Sequence, residues 1–231
     1  MPREARIVLP GVPHHIIQRS QSGLRCFSGD QDYQIHLSWL EEYLERAQCH
    51  IHAYVLMPDH VHLLVTPERL WSMGELMRRT GQRYAQYYNR KYQRSGALWE
   101  GRYRSCIACE PGYILNCYRY IEMNPVRKGF CSDPGEYAWT SYRCNALGEQ
   151  TTMLQPDDAY DSLGDSPDER REAYRSIFSQ QPLASAEREL RRTTSANRAY
   201  GSAILCSNLE QRMGKRVALG KPGRPRRLQS A

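Results

Sequence analysis

The sequence predicts an α+β fold: a β-α-β-β-α-β sheet with one extra helix and a small helical C-terminal extension. Three observations carry this. Four short segments, "HHIIQR", "IHAYVLMP", "HVHLLVTP" and "SCIACE", read as strands. Two longer segments with apolar residues at helical spacing separate the first strand from the second and the third from the fourth. The middle two strands are joined only by Pro58-Asp59, the composition of a tight turn, so they form a hairpin.

Each element follows in order. "HHIIQR", His14 to Arg19, alternates apolar and polar residues. The next segment opens at Asp30, an N-cap candidate, and sets Tyr33, Leu37, Leu40 and Leu44 on one helical face. The hairpin comes next, then a helix from Trp71 to Gln93 that is dense in arginine and tyrosine. "SCIACE", Ser105 to Glu110, is the fourth strand. A last helix starts at Pro111 and stops before Pro125. The first six elements match the split β-α-β, ferredoxin-like (RRM-like) pattern. If the two earlier helices cover one face of the sheet, the extra helix takes the other. After Ser141 the chain turns polar and acidic, which sets a boundary near Leu147. Residues 1–147 form the first unit and 148–195 a polar linker with a helix capped by Ser166 and started by Pro167. Residues 196–231 form a helix and a basic tail.

With 231 residues, 40% hydrophobic, the chain can bury a core, and its formal net charge of +7 favours a polyanionic partner. No run approaches the roughly 18 apolar residues of a spanning helix, and "MPREARIVLP" lacks the apolar core of a secretory signal. A cytoplasmic protein associated with the nucleoid is the expectation, with its eight cysteines as reduced thiols. "CIAC", Cys106 to Cys109, has zinc spacing but no second pair to complete four ligands.

"MPDHVHLLV", Met57 to Val65, interrupts an apolar run with two histidines. In a strand, His60, His62 and Leu64 share one face while Val61, Leu63 and Val65 share the other. Side-by-side imidazoles suit a divalent metal, and local hydrogen bonding is the plain alternative. "HIH" at His50 and His52 has the same spacing and is the second choice. On the extra helix, Ile114, Cys117, Tyr118 and Ile121 form a core-facing stripe, and Tyr113, Tyr120 and Asn124 lie on its flank. Tyr120 and Asn124 are one turn apart. If that flank meets the histidines, His60, His62 and Asn124 can hold Mg²⁺ or Mn²⁺ against a phosphate, with Tyr120 as a covalent nucleophile. A packed aromatic and a helix C-cap before Pro125 are the alternatives for Tyr120 and Asn124. Tyr118, on the apolar stripe, ranks below Tyr120.

"MPDHVHLLV", "GALWEGRYRS" and "YIEMNPVRKG", with "HHIIQR" and "CF" ahead of them, together resemble the REP-associated tyrosine transposases, which are single-tyrosine, IS200-like transposases of the His-hydrophobic-His type. The resemblance spans about residues 5 to 145. It implies a metal-dependent transposase and endonuclease that nicks and transfers single-stranded DNA at palindromic hairpin repeats through a 5′-phosphotyrosine. It also implies His60, His62 and Asn124 as metal ligands, Tyr120 as nucleophile, and a monomer or homodimer. The alternatives are a non-cleaving DNA-binding regulator of the same fold and an RNA-binding module using the same sheet.

DNA contacts are expected from Arg78, Arg79, Arg83, Arg90 and Lys91 on the tyrosine-rich helix, whose aromatics can stack on unpaired bases. Arg102 and Arg104 in "WEGRYRS", and Arg127 and Lys128 after Asn124, add charge near the site. The tail "KPGRPRR" is AT-hook-like, and Arg224, Arg226 and Arg227 are its candidates for a duplex minor groove.

Overall fold

A computed structural model describes residues 6–179 and 184–220. Strands β1 (His14–Arg19), β2 (Cys49–Met57), β3 (His60–Pro67) and β4 (Arg104–Ala108) form an antiparallel sheet in the order β2-β3-β1-β4. Helices α1 (Asp30–Ala47) and α2 (Ser72–Lys91) pack on one face. Helix α3 (Pro111–Glu122) packs on the other. This is the expected ferredoxin-like α+β arrangement, with the extra helix opposite the first two.

Strand alternation divides the core. Val61, Leu63 and Val65 of β3 enter the α1/α2 layer with Ile16, Leu40 and Tyr84. Leu64 enters the α3 layer with Cys117, Tyr118 and Ile121. In β2 the alternation is broken once. Ile51 pairs with Val65 and Ala53 with Leu64, so His52 is the extra residue of a bulge. Before it, Ile51 faces α1/α2; after it, Tyr54 and Leu56 do, and Ala53, Val55 and Met57 turn to α3.

Helix α1 begins at Asp30, but its N-terminal carboxylate is Asp32 rather than Asp30. Asp32 accepts the backbone N–H groups of Ser28 (2.9 Å) and Gly29 (3.2 Å), and Gly29 is the capping residue. A carboxylate inside the first turn reaches back to donors that the exposed Asp30 does not meet. Helix α3 ends at Glu122, and a short turn, α4 (Asn124–Arg127), follows directly. Tyr113, expected on the flank with Tyr120, instead packs edge-on against Tyr200, with centroids 4.7 Å apart.

The chain beyond Leu147 returns to the sheet. After the short helices α5 (Tyr142–Leu147) and α6 (Asp158–Asp161), α7 (Pro167–Ser179) packs on α5. Its N-terminus is capped as expected: Glu169 N–H donates to Ser166 Oγ (3.3 Å), and Ser166 N–H donates to Glu169 (2.9 Å). Helix α8 (Ala184–Ala196) lies over β4 and β1 beside α3. Strand β5 (Ala199–Tyr200) then adds to β4 in parallel, and α9 (Ala203–Met213) covers Ile107 and Ala199 at that edge.

Candidate functional site

The site is built on the α3 face of β3 and β1. The turn at Pro58-Asp59 starts β3 at His60, and alternation sends both His60 and His62 under α3, where they are 3% and 2% exposed. The two rings meet edge to face, with centroids 5.0 Å apart. The histidine–valine–histidine pattern therefore works as its parity implies: Val61 anchors the strand in the opposite layer, and the imidazoles share one face.

Helix α3 brings Tyr120 over them. Its ring meets His62 and His15 edge-on at 5.6 Å from each. Tyr118 points elsewhere: it is fully buried beside Tyr160 and Tyr174, and its hydroxyl donates to Asp157 (3.2 Å). The end of α3 is held by buried Glu122, which accepts from Ser141 (2.5 Å), Tyr174 (2.7 Å) and Asn145 (2.8 Å). Burial pushes that carboxyl up to about 7, partly opposed by these three donors. With α3 pinned there, Asn124 one turn after Tyr120 sets its amide N–H 3.4 Å from His60 Nε2. The competing pair is spent locally. His52, in the bulge, bonds the Gln155 carbonyl (2.6 Å) and Thr66 (2.7 Å), and His50 bonds Glu68 (2.8 Å).

A third imidazole belongs to this cluster and was not singled out from the sequence. His15 of β1 lies parallel to His62 within 8°, and its Nε2 is 2.7 Å from His62 Nδ1. The signal was available: in β1, His15, Ile17 and Arg19 share parity, and in the β1–β3 pairing Ile17 faces His62 and Arg19 faces His60.

Burial lowers the affinity of all three rings for a proton. His15 falls to about 3 through burial and the nearby Arg127. His62 falls well below its ordinary value through burial, with His15 and His60 adding to it. His60 is lowered by burial and partly restored by Asp59. All three are neutral near pH 7 and keep lone pairs. The Asp59 carboxylate accepts His60 Nδ1–H at 2.6 Å, which leaves His60 Nε2 unprotonated. Two neutral imidazoles and a side-chain amide form a donor set that fits a divalent cation. Among the described residues no group of three His, Cys, Asp or Glu side chains converges on a metal position.

A cleft of about 340 Å³ opens over His15, His62 and Tyr120. Arg19, Arg102, Arg104 and Arg191 line it, with Glu100 and Ser195. Arg127 lies just behind: its guanidinium is 4.1 Å above the Tyr120 ring, it donates to the Tyr120 carbonyl (2.7 Å), and it pairs with Glu187 (3.2 Å). Glu187, Arg191, Thr194 and Ser195 are one face of α8, which forms a wall of the site. No short-range pattern in the sequence links that helix to β1 or α3.

The expected DNA contacts divide between the two faces of the sheet. Arg102 and Arg104 reach the cleft, and Lys128 is exposed beside α4. Arg78, Arg79, Arg83, Arg90 and Lys91 belong to α2, on the opposite face of the sheet. There Arg78 and Arg79 both bind Glu75, Arg83 pairs with Glu42 (2.6 Å) over the Trp39 ring, and Lys91 pairs with Asp32 (2.7 Å). Arg90 is exposed. The tyrosines between them are occupied as well: Tyr84 and Tyr88 donate to the Cys26 and Arg25 carbonyls, and Tyr87 and Tyr92 donate to Asp32. Arg224, Arg226 and Arg227 lie outside the described residues. Among the described residues no helix is long and apolar enough to cross a membrane.

No curated protein sequence matches the chain. Among solved structures, a REP-associated tyrosine transposase bound to a REP hairpin matches with a TM-score of 0.51 at 13% identity, over 68% of this chain and 99% of that one. A putative transposase from Deinococcus radiodurans matches with a TM-score of 0.34 at 17% identity, over 45% of this chain and 83% of that one. The first likeness is one of fold. Residues 11–124 match the family model described as "Transposase IS200 like", a span that holds β1 to β4, both hairpin histidines, Tyr120 and Asn124. Over that span the chain is similar to the IS200-like transposases.

Proposed function

We propose that the chain is a divalent-metal-dependent transposase and endonuclease that nicks and transfers single-stranded DNA, with Tyr120 as the nucleophile. The observation that carries this is the convergence of Tyr120, two neutral histidines and an amide beside an arginine-lined cleft into which Tyr120 and His62 face. His60, His62 and Asn124 would hold Mg²⁺ or Mn²⁺. A bound dication supplies Lewis-acid polarisation of the scissile phosphate.

The chain's own residues do the rest. Arg19, Arg102, Arg104 and Arg191 hold phosphates of the incoming strand. Tyr120 Oη forms a bond to phosphorus as the bond to the 3′ oxygen breaks. The phenol loses its proton and the departing oxygen gains one, leaving a 5′-phosphotyrosine and a free 3′-hydroxyl. Attack by a second 3′-hydroxyl reverses the step and completes strand transfer. Arg127, stacked on the ring and bonded to the Tyr120 carbonyl, fixes the direction of Oη. The substrate class is a hairpin formed by a palindromic repeat, by analogy with the DNA bound in the matching structure. The α2 cations, already holding carboxylates, contribute to the long-range field that draws in DNA more than to phosphate contact. The basic tail extends the proposal to duplex DNA. Truncation after Gly220 should lower duplex affinity and leave hairpin cleavage intact.

The test is a denaturing gel of protein mixed with labelled single-stranded hairpins in Mg²⁺, Mn²⁺ or EDTA. A covalent adduct that needs metal, persists in Tyr118→Phe and disappears in Tyr120→Phe is the expected result. Tight hairpin binding with no adduct or nick in any metal would overturn it in favour of a non-cleaving regulator.

A further inference from the structure

Thr194 of α8 is buried and 179 residues from His15 in the chain, yet its Oγ1 is 2.9 Å from His15 Nδ1. The same oxygen is 2.8 Å from the Leu190 carbonyl and 3.1 Å from Cys106 Sγ. A hydroxyl has one hydrogen and two lone pairs, and a carbonyl only accepts. The Thr194 hydrogen therefore goes to Leu190, and Oγ1 accepts from His15 Nδ1–H and from the Cys106 thiol.

A neutral imidazole carries one N–H. With that hydrogen on Nδ1, His15 Nε2 is an acceptor, and its 2.7 Å contact with His62 Nδ1 needs His62 as donor. His62 then keeps its lone pair on Nε2, the nitrogen with no hydrogen-bond partner among the described residues. We infer that His15 and Thr194 are positioning residues, a relay from α8 that fixes the tautomer and plane of His62 and aims Nε2 into the site. The inference rests on the proposed role of His62 as a metal ligand. His60 reaches the same state by a different device, the Asp59 carboxylate, which is 60% exposed. One histidine is set by a solvent-facing turn and the other by a buried chain of hydrogen bonds that ends on a distant helix.

The experiment uses the full chain, ¹⁵N-labelled and metal-free, as wild type, Thr194→Val and Thr194→Ser. Long-range ¹H–¹⁵N correlation reads which nitrogen of His62 is protonated, and Mn²⁺ titration followed by EPR reads affinity. The wild type should show His62 protonated on Nδ1. Thr194→Val removes the acceptor, frees the His15 tautomer and should weaken Mn²⁺ binding about 10-fold. Thr194→Ser should restore both readouts. A wild-type spectrum with the proton on His62 Nε2 would overturn the relay, and so would a Thr194→Val protein with unchanged tautomer and affinity. If Thr194→Val does not fold, the wild-type spectrum alone decides. A wild type that binds no Mn²⁺ and forms no adduct defeats the proposed function, while the spectrum still decides the relay.

Discussion

Replacing Asp32 by Asn tests the structural reading of the α1/α2 layer. Asp32 Oδ1 accepts from Lys91 (2.7 Å) and Tyr87 (3.0 Å), and Oδ2 accepts from Ser28 N–H (2.9 Å), Gly29 N–H (3.2 Å) and Tyr92 (2.7 Å). Asparagine keeps one oxygen. In one orientation its amide group faces two backbone N–H donors; in the other it faces the Lys91 ammonium. Both set donor against donor at a residue that is fully buried. Stranding two part-buried donors against the buried Asp32 side chain and halving its acceptors costs about 2–4 kcal/mol. Urea unfolding at pH 7, followed by circular dichroism, measures this directly. Asp30→Asn, at the exposed position, is the control and should stay within about 0.5 kcal/mol of wild type. The pH arm has a defined sign. Burial pushes the Asp32 carboxyl up, but the bonds from Lys91, Ser28, Tyr92 and Tyr87 outweigh it and hold the group below its ordinary 3.8. A depressed carboxylate adds stability above the unfolded value and loses it as pH falls through the folded one. The gap between wild type and Asp32→Asn should therefore be full at pH 7 and shrink below about pH 4. A loss under about 1 kcal/mol at pH 7, or a gap that widens in acid, would refute the reasoning.

Four further outcomes follow from named contacts. Tyr118→Phe loses only its bond to Asp157 and should cost about 1 kcal/mol in thermal unfolding, with adduct yield unchanged on the gel. Leu40→Ala, at a position with no exposure, should cost about 2–5 kcal/mol by denaturant titration. Arg104→Ala, lining the cleft, should reduce the salt slope of single-strand binding by about 0.7 in a fluorescence titration, whereas Arg79→Ala, held by Glu75, should leave it unchanged. Asp59→Asn removes the carboxylate that orients His60 and should weaken Mn²⁺ binding about 10-fold by calorimetry.

The parts of this molecule legible from sequence are those governed by near neighbours in the chain. Period-two alternation in "HVHLLV" put both histidines on one face, and the Pro58-Asp59 turn fixed the hairpin register from Met57↔His60 onward. The stripe of Ile114, Cys117 and Tyr118 oriented α3, and so separated Tyr118 from Tyr120. What escaped were features set by residues far apart in the chain. The bulge at His52 is a mismatch between two strands, which neither strand shows alone. Arg83, Tyr87 and Lys91 of α2, and Tyr92 at its end, look free in sequence because their partners, Glu42 and Asp32, come from α1. One difference is local: Asp30 comes first and reads as the cap, but the Ser28 and Gly29 backbone donors, four and three residues before Asp32, lie where Asp32 reaches them. His15 had the right parity, but its partnership with His62 depends on strand order. Nothing local in 184–196 announces that α8 meets the site.

That last contact gives the site an order of assembly. Both hairpin histidines, Tyr120 and Asn124 have been translated by residue 124, whereas Thr194 comes 70 residues later. At about 5–20 residues per second, roughly 4–14 seconds of synthesis separate the two. During that interval His15 has no Thr194 to hold it, Arg127 has no Glu187, and the cleft lacks its α8 wall. A chain broken off in this window keeps the span matched by the family model but not the finished cavity, so the nascent protein carries the candidate site with one wall still missing.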